Sequence, residues 1–314
     1  MISDELRAVA QVVAATVILV HATGCALVPS REILYQSQRP GDTEDIYALD
    51  PHTGATRRLT QGERGYANSL AVWDPQGTRI AFIREFANRS ELYMLDSVGR
   101  LPRRLETPGL AVISWPNWSP DGETLVFGGG PAWDSLGLYT MGVGGAGLRR
   151  IRTDSGNYAC ASFSPDGRRI ATAATSATGL SRVVEIDLAT TKPVVVASTD
   201  SSVLGCPEWS PNDKSLLVSV YPNGTVDRAH LAILDRATRL FVSLSTGPGV
   251  SNHPRWDRTG SWIVFQRSIE PSSETDSVQR RRFFNNLEIY VIRPNGTGLR
   301  RLTSNDYFDA HPSW

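Results

Sequence analysis

The apolar positions of the chain fall into short runs separated by polar turns, and this arrangement repeats along the sequence. Each repeat begins at a tryptophan or phenylalanine, passes through a tight turn, and enters a short apolar, β-branched run. No amphipathic pattern of helical period lies between the runs, so the pattern predicts β-strands. The five turns are Trp73–Gly77, Trp118–Gly122, Phe163–Gly167, Trp209–Asp213 and Trp256–Gly260.

The spacing of the turn aromatics predicts the architecture. They stand at positions 73, 118, 163, 209 and 256, and a partial sixth copy, His311–Trp314, ends the chain after a longer interval. In most turns Pro presets the backbone at the second position and Gly accepts a positive φ at the last. A period of about 45 with four short strands per unit is typical of β-propeller blades.

The two ends of the repeat region complete each other. Residues 32–60 hold three strands without a preceding aromatic strand, whereas residues 310–314 supply only a first strand. Joined, they form one complete blade, and closing the ring removes exposed sheet edges. We therefore predict an all-β fold over residues 31–314, a six-bladed β-propeller closed by a composite blade of C-terminal and N-terminal strands.

The segment 1–30 differs from the rest and indicates an exported protein. Ala8–Val20 is a predominantly apolar run of 13 residues. It is shorter than the ~20 residues that a membrane-spanning helix needs, and it fits the core of a secretory signal. The small residues before Cys25 resemble the lipobox of bacterial lipoproteins, a family in which this cysteine is lipidated. Simple export and a short buried segment are the alternatives.

These features predict a signal segment and short linker over residues 1–30, with Cys25 as the lipidation site. We expect the protein in the periplasm or at the cell surface, with a lipid anchor as its only contact with the membrane.

The repeat itself resembles a known family. The Trp-Ser-Pro-Asp-Gly turn at 118–122, the third strand Leu-Tyr-Met-Leu at 92–95, and the closing Arg-Leu-Thr at 58–60 and 301–303 are similar to the WD40-like propeller repeat of TolB. Related repeats occur in the N-terminal domains of the dipeptidyl-peptidase IV group. The resemblance covers residues 31–314 and implies a propeller at the bacterial cell envelope.

Composition and motifs narrow the function. Lys plus Arg and Asp plus Glu are 32 each, so the chain lacks the basic excess that nucleic-acid binding requires. Gly142–Gly147 matches a dinucleotide-binding pattern, but it lies between strands with no following helix. We therefore expect no cofactor and a monomeric, non-enzymatic scaffold that binds a protein or peptide. A hydrolase or lyase that uses the channel mouth, and a small-ligand sensor, are the alternatives.

The position three before each blade aromatic is the first candidate site. We expect these side chains at equal heights near the upper channel mouth, on the face that carries the connections between blades. Cysteine and histidine together suit zinc, although the cysteines could also form a disulfide, if their Cα atoms lie within ~7 Å, or pack as thiols. The binding residues predicted here are Trp115, Cys160, Cys206, His253 and His311, and Leu70 occupies the sixth position.

The connection Ile269–Asn286 is the second candidate site. It joins the second and third strands of the last full blade, and its length explains the longer last interval of the repeat. Connections of this length are often functional, and exposed phenylalanines favour a contact surface over a merely solvated loop. We predict a partner-contacting flap on the upper face that binds through Arg280, Arg281, Arg282, Phe283 and Phe284.

Overall fold

In a computed structural model, the chain forms six antiparallel four-stranded sheets arranged as a ring, which confirms the predicted six-bladed β-propeller. The structure describes residues 31–314 except positions 40, 42, 101, 152–156, 159, 177–178, 245 and 270–285. The predicted leader with Cys25 and the flap residues Arg280–Phe284 lie outside the described residues. Among the residues that are described, no helix is long and apolar enough to cross a membrane.

The strands are numbered in chain order, and each blade is counted from its innermost strand. The composite blade 1 has the order β24-β1-β2-β3, and blades 2 to 6 each use four consecutive strands. Blade 1 comprises β24 (Phe308–Ser313), β1 (Ile33–Gln38), β2 (Glu44–Leu49) and β3 (Thr56–Arg58); blade 2 comprises β4 (Ala67–Trp73), β5 (Arg79–Glu85), β6 (Ser90–Asp96) and β7 (Arg103–Leu105).

Blades 3 to 6 follow the same pattern, with one short 3₁₀ helix, Val226–Arg228, in blade 5. Blade 3 comprises β8 (Val112–Trp118), β9 (Thr124–Gly130), β10 (Gly137–Gly142) and β11 (Arg149–Ile151); blade 4 comprises β12 (Ala161–Phe163), β13 (Arg169–Thr175), β14 (Ser181–Asp187) and β15 (Pro193–Thr199). Blade 5 comprises β16 (Ser202–Trp209), β17 (Ser215–Pro222), β18 (His230–Asp235) and β19 (Phe241–Leu244); blade 6 comprises β20 (Val250–Trp256), β21 (Ile263–Ser268), β22 (Glu288–Ile292) and β23 (Arg300–Arg301).

The turn after each blade aromatic defines the lower face, and the opposite face, which carries the connections between blades, is the upper face. The residue that follows the aromatic in these five turns is Ser or Asp, and its side chain can accept a hydrogen bond from an amide at the start of the second strand. Ser119 Oγ accepts from Thr124 N at 2.9 Å, and Asp257 Oδ1 accepts from Trp262 N at 2.7 Å. The repeated Ser or Asp is thus the side chain that closes the turn.

The Arg-Leu-Thr segments lock the outer strands of the two blades that flank the ring closure. In blade 1, Arg58 Nη2 and Thr60 Oγ1 both donate to the buried Asp45 carboxylate at 2.6 Å. In blade 6, Arg301 and Thr303 bind Glu288 in the same way. A buried carboxylate needs such partners, because burying it unpaired is costly.

The ring closes as the sequence predicts. Strand β24 pairs with β1 through Gln36 opposite Ala310 and Gln38 opposite Phe308. The indole of Trp314 donates to the Arg31 carbonyl at 3.2 Å, and Trp314 packs in the same apolar cluster as Trp262. The last strand is therefore built into both blade 1 and the interface with blade 6.

The apolar core lies in the wedges between adjacent blades, and each wedge holds one blade aromatic. These side chains are 5–8% exposed, which accounts for their periodic spacing. On the outer rim, arginines of the fourth strands reach the next blade: Arg57 Nη2 donates to Ser97 O at 2.9 Å and Arg103 Nη2 donates to Val143 O at 2.8 Å. Arg300 Nη2 makes the equivalent bond across the closure, to Pro51 O at 2.6 Å.

Candidate functional site

Five of the six predicted mouth residues sit on bulges of the innermost strands, and Cys160 lies immediately before β12. The pairing register shifts between Ser114 and Asn117 in blade 3 and between Asn252 and Arg255 in blade 6. Equivalent shifts occur in the innermost strands of blades 1, 2 and 5. A β-bulge of this kind re-aims the side chain that it carries. The bulged residue has a positive φ in five blades: Leu70 at 52°, Trp115 at 48°, Cys206 at 37°, His253 at 50° and His311 at 49°.

This left-handed backbone is costly, because none of the five residues is glycine. A non-glycine residue in this region costs roughly 1–2 kcal/mol, and such conformations persist only where the surroundings enforce them. Side chains of the preceding blade hold the strained amides: His253 N donates to Ser219 Oγ at 3.0 Å and His311 N donates to Gln266 Oε1 at 2.8 Å. Gln36 Oε1 accepts from the amide of Leu70 in the same way, at 3.3 Å.

Three of the predicted residues form an aromatic plug in the channel mouth. The rings of Trp115 and His253 stack with centroids 4.7 Å apart and an interplanar angle of 7°. His311 stands edge-on to both, 5.0 Å from Trp115 and 4.6 Å from His253. The space left between these rings and Leu70 is a cavity of about 10 Å³, roughly the size of one water. The rings and Leu70 thus leave little free space between them.

The two cysteines are joined to each other. Cys160 and Cys206 form a disulfide with Cα atoms 5.2 Å apart, and it links the innermost strands of blades 4 and 5. Cys206 is one of the five bulged residues with a positive φ. Of the three states that the sequence leaves open for the cysteines, the structure has the disulfide. The bonded sulfurs are not thiolate ligands, and among the described residues no group of three or more His, Cys, Asp and Glu could hold a metal ion.

Both histidines of the plug are neutral at pH 7. Burial and, as a smaller cause, the nearby Arg255 guanidinium lower the pKa of His311 to about 3. Burial likewise lowers the pKa of His253 well below its usual value, with His311 and Arg255 as smaller causes. The Nδ1 atoms of both rings are buried without a hydrogen-bond partner among the described residues. Each ring thus retains one unused polar atom beside the mouth.

A partly buried carboxylate, Glu208, lies beside the plug. Its Oε1 is 3.9 Å from Arg255 Nη1, and its Oε2 accepts the amide hydrogen of Trp256 at 3.0 Å. Burial raises the pKa of Glu208 to about 7 despite these partners. Sequence reasoning missed Glu208 and Arg255. The signal was present, because both stand one residue before a blade aromatic, where other blades carry Val, Asn or Ser.

A pH-dependent loss of stability follows from the neutral His311. Its folded-state pKa lies below that of the unfolded chain, so the unfolded state alone takes up the proton between about pH 6.5 and pH 3. Stability therefore decreases as the pH is lowered through this window, by up to about 1.4 kcal/mol per pH unit for one group. Glu208, with its raised pKa, acts in the opposite direction between about pH 7 and 4.5.

Comparison with a variant isolates the His311 contribution. We expect His311→Asn to remove a slope of about 1 kcal/mol per pH unit from the wild-type stability profile between pH 6 and 4. Urea denaturation across this range measures it, with the exposed His52→Asn as the control. Parallel profiles for wild type and His311→Asn would contradict a neutral, buried imidazole.

Comparisons with known proteins agree with the fold. No family model matches the chain. A TolB homologue from Chlorobium luteolum is 29% identical over 171 residues, which is 54% of this chain and 37% of that protein. The uncharacterised peptidase YuxL from Bacillus subtilis is 29% identical over 227 residues, 67% of this chain and 31% of the peptidase. The chain thus spans only about a third of the length of either relative.

Solved structures show the same architecture. TolB from Acinetobacter baumannii superimposes with a TM-score of 0.72 at 18% identity, over 91% of this chain and 66% of that one. A TolB-type protein from Agrobacterium tumefaciens gives 0.68 at 13% identity, over 90% of this chain and 98% of that one. Oligogalacturonate lyase from Vibrio parahaemolyticus gives 0.54 at 13% identity, over 87% and 74%.

The fold and the ring contacts define the class of this protein as a closed six-bladed β-propeller with an aromatic plug between its blades. Within that class it is similar in sequence to the TolB homologue of Chlorobium luteolum and in architecture to the solved TolB propeller of Acinetobacter baumannii.

Proposed function

We propose that the protein is a non-enzymatic scaffold that binds a protein or peptide partner at the upper channel mouth. The observation that carries this proposal is the set of five left-handed, non-glycine bulges whose residues line one cavity. Backbone strain that recurs at one place is a mark of functional sites. Flat, rigid aromatic surfaces are the typical anchors of protein interfaces.

The chemistry of the plug favours binding over catalysis. A general base works best when its pKa lies near the operating pH, whereas burial and Arg255 lower the pKa of His311 to about 3. With Cys160 and Cys206 bonded to each other, neither supplies a nucleophilic thiolate. The hydrolase and lyase alternatives therefore lack support from these residues, and no cofactor is proposed.

An exposed aromatic residue, Trp133, extends the proposed surface. Trp133 lies on the upper face in the connection between β9 and β10 and is 51% exposed. Its carbonyl accepts from Asn157 Nδ2 at 3.1 Å, and Asn157 Oδ1 accepts from Leu136 N at 3.0 Å. Trp115 and this fixed Trp133 belong to the same blade. The predicted flap Ile269–Asn286 connects β21 to β22, and we include its residues Arg280–Phe284 in the proposed contact surface.

The proposal places the protein outside the cytoplasm, in the bacterial envelope. The Cys160–Cys206 disulfide suits an oxidising compartment, and the apolar leader with Cys25 suits export with a lipid anchor. Similarity to TolB proteins supports the envelope setting and a protein partner. We propose a monomer that uses neither nucleic acid nor membrane lipid as its upper-face partner.

Partner capture from native envelopes tests the proposal. We expect Trp115→Ala to reduce recovery of the crosslinked partner about tenfold or more, because a central aromatic anchor is a typical hot spot. Deletion of residues 270–285 should leave the fold intact and also reduce recovery. The control is Leu240→Ala, which removes a 66% exposed apolar side chain from the outer rim. Wild-type recovery with both mouth variants would overturn the proposal.

A further inference from the structure

The lower face carries a second cavity, which the proposed function does not use. It lies between blades 1 and 2, reaches the lower turn of blade 6, and has a volume of about 420 Å³. Three arginines line it: Arg31, which precedes β1; Arg57 of β3; and Arg258, in the turn between β20 and β21. We name it the arginine cavity.

The residues that line the arginine cavity carry a net positive charge of two. The acidic residue among them is Glu32, and this carboxylate is occupied by Arg57, whose Nε and Nη2 donate to it at 2.8 and 2.5 Å. Burial and, as a smaller cause, repulsion from Arg258 lower the pKa of Arg31 to about 10. The Asp74 carboxylate offsets part of this repulsion, although it is itself ion-paired within its own turn. The guanidinium groups of Arg31 and Arg258 thus create a positive potential in the cavity, which the nearby carboxylates neutralise only in part.

Arg31 is held rigidly in this position. Its Nη2 donates to Asp74 O at 2.6 Å, and its guanidinium lies 5.1 Å from the centroid of the Trp73 ring. Its backbone carbonyl accepts from the indole of Trp314 at 3.2 Å, and the next carbonyl, of Glu32, accepts from the indole of Trp73 at 3.0 Å. A site whose donors are fixed in advance loses little entropy when it binds a ligand.

Arg258 is a departure from the repeat. It stands at the second position of the blade 6 turn, where four other blades carry proline. The turn does not require arginine, since proline is the favoured residue at this position. The side chain is exposed. Blade 6 has thus replaced a structural residue with a cation that borders the cavity.

We propose that the arginine cavity binds a phosphate group. Guanidinium forks match the oxygens of phosphate, and the net charge of two complements the charge of about −1.5 to −2 that a phosphate monoester carries at pH 7. The phosphate could come from a free anion or from a lipid headgroup, because both present the same chemistry. The site faces away from the upper mouth and goes beyond the proposed function.

Two probes distinguish these sources. Inorganic phosphate is titrated into the full chain by calorimetry, against chloride at equal ionic strength, and vesicles of phosphatidylcholine with and without phosphatidic acid are tested by co-sedimentation. We expect Arg258→Pro to weaken binding of phosphate about tenfold, the typical effect of losing one charge-assisted hydrogen bond. This variant restores the proline of the other turns and should keep the wild-type melting temperature. Arg31→Gln should weaken phosphate binding more than Arg258→Pro does.

The control is Arg168→Gln, which removes one exposed positive charge from the lower turn of blade 4. It should leave binding unchanged. Arginine-dependent binding of inorganic phosphate supports a soluble ligand, and arginine-dependent binding of phosphatidic acid vesicles alone supports a lipid headgroup. Absence of binding to both probes, or equal binding by wild type, Arg258→Pro and Arg31→Gln, overturns the proposal.

Discussion

Replacing Trp314 with alanine should lower the free energy of unfolding by about 3–5 kcal/mol, the usual cost of truncating a buried tryptophan. The side chain is 8% exposed and fills the wedge between blades 1 and 6 with Tyr35 and Trp262. The variant also removes the indole donor of the Arg31 carbonyl. Urea denaturation followed by far-UV circular dichroism measures the loss.

Trp133→Ala is the matched control, because it removes the same side chain from an exposed site. We expect it to change stability by less than about 0.5 kcal/mol. A chain that ends before β24 should lose far more than either variant, since β1 would then expose an unpaired edge. A Trp314→Ala variant as stable as Trp133→Ala would mean that the terminal strand does not close the ring.

Removing the disulfide should have an effect of similar size. The bond joins residues 46 apart in the sequence, and the chain-entropy relation gives about 4 kcal/mol for a loop of that length. We expect the double variant Cys160→Ala, Cys206→Ala to unfold at a correspondingly lower urea concentration. Because the bond ties the innermost strands of blades 4 and 5, the loss should appear as earlier unfolding of the whole ring.

A reducing agent provides the control for this prediction. It should shift the wild-type transition towards that of the double variant and leave the double variant unchanged. An unchanged wild-type transition, together with reactive thiols at Cys160 and Cys206 in the untreated protein, would contradict the disulfide.

Most of the fold could be predicted because the repeat signals are local. An aromatic residue, a Ser or Asp that caps the turn, and a β-branched run report the same short-range geometry in each blade, as in Trp118, Ser119 and Thr124. Closure of the ring could also be predicted, because residues 32–60 supply three strands of a blade and residues 310–314 supply the first strand that this blade lacks. Strand ends were less certain: β24 begins at Phe308, two residues earlier than its apolar pattern indicates.

The mouth could be predicted only as a set of positions. Internal alignment gave Trp115, His253 and His311 equal heights, but not the left-handed bulges that turn them towards one another. The bulges depend on side chains of the preceding blade, such as Ser219 and Gln266, and these contacts join residues 34 and 45 apart. The disulfide was one of three open states for the same reason, because the distance between two blades is not a local property of the sequence.

The arginine cavity also has a signal in the sequence, but that signal alone does not reveal a site. Arg258 interrupts a proline position that the other four turns keep. Its meaning depends on Arg31, which precedes the first strand and reaches the cavity only because the ring closes. Departures from an internal repeat are thus useful pointers to function, once the fold shows what stands beside them.

Site-specific photocrosslinking tests most directly whether the upper mouth is the surface that binds the partner. A photoreactive residue placed at Trp115 should capture a partner from native envelopes, whereas the same residue at Arg168, on the lower face, should not. A partner captured equally well at Arg168, or at Arg168 alone, would contradict the assignment of the binding surface to the mouth.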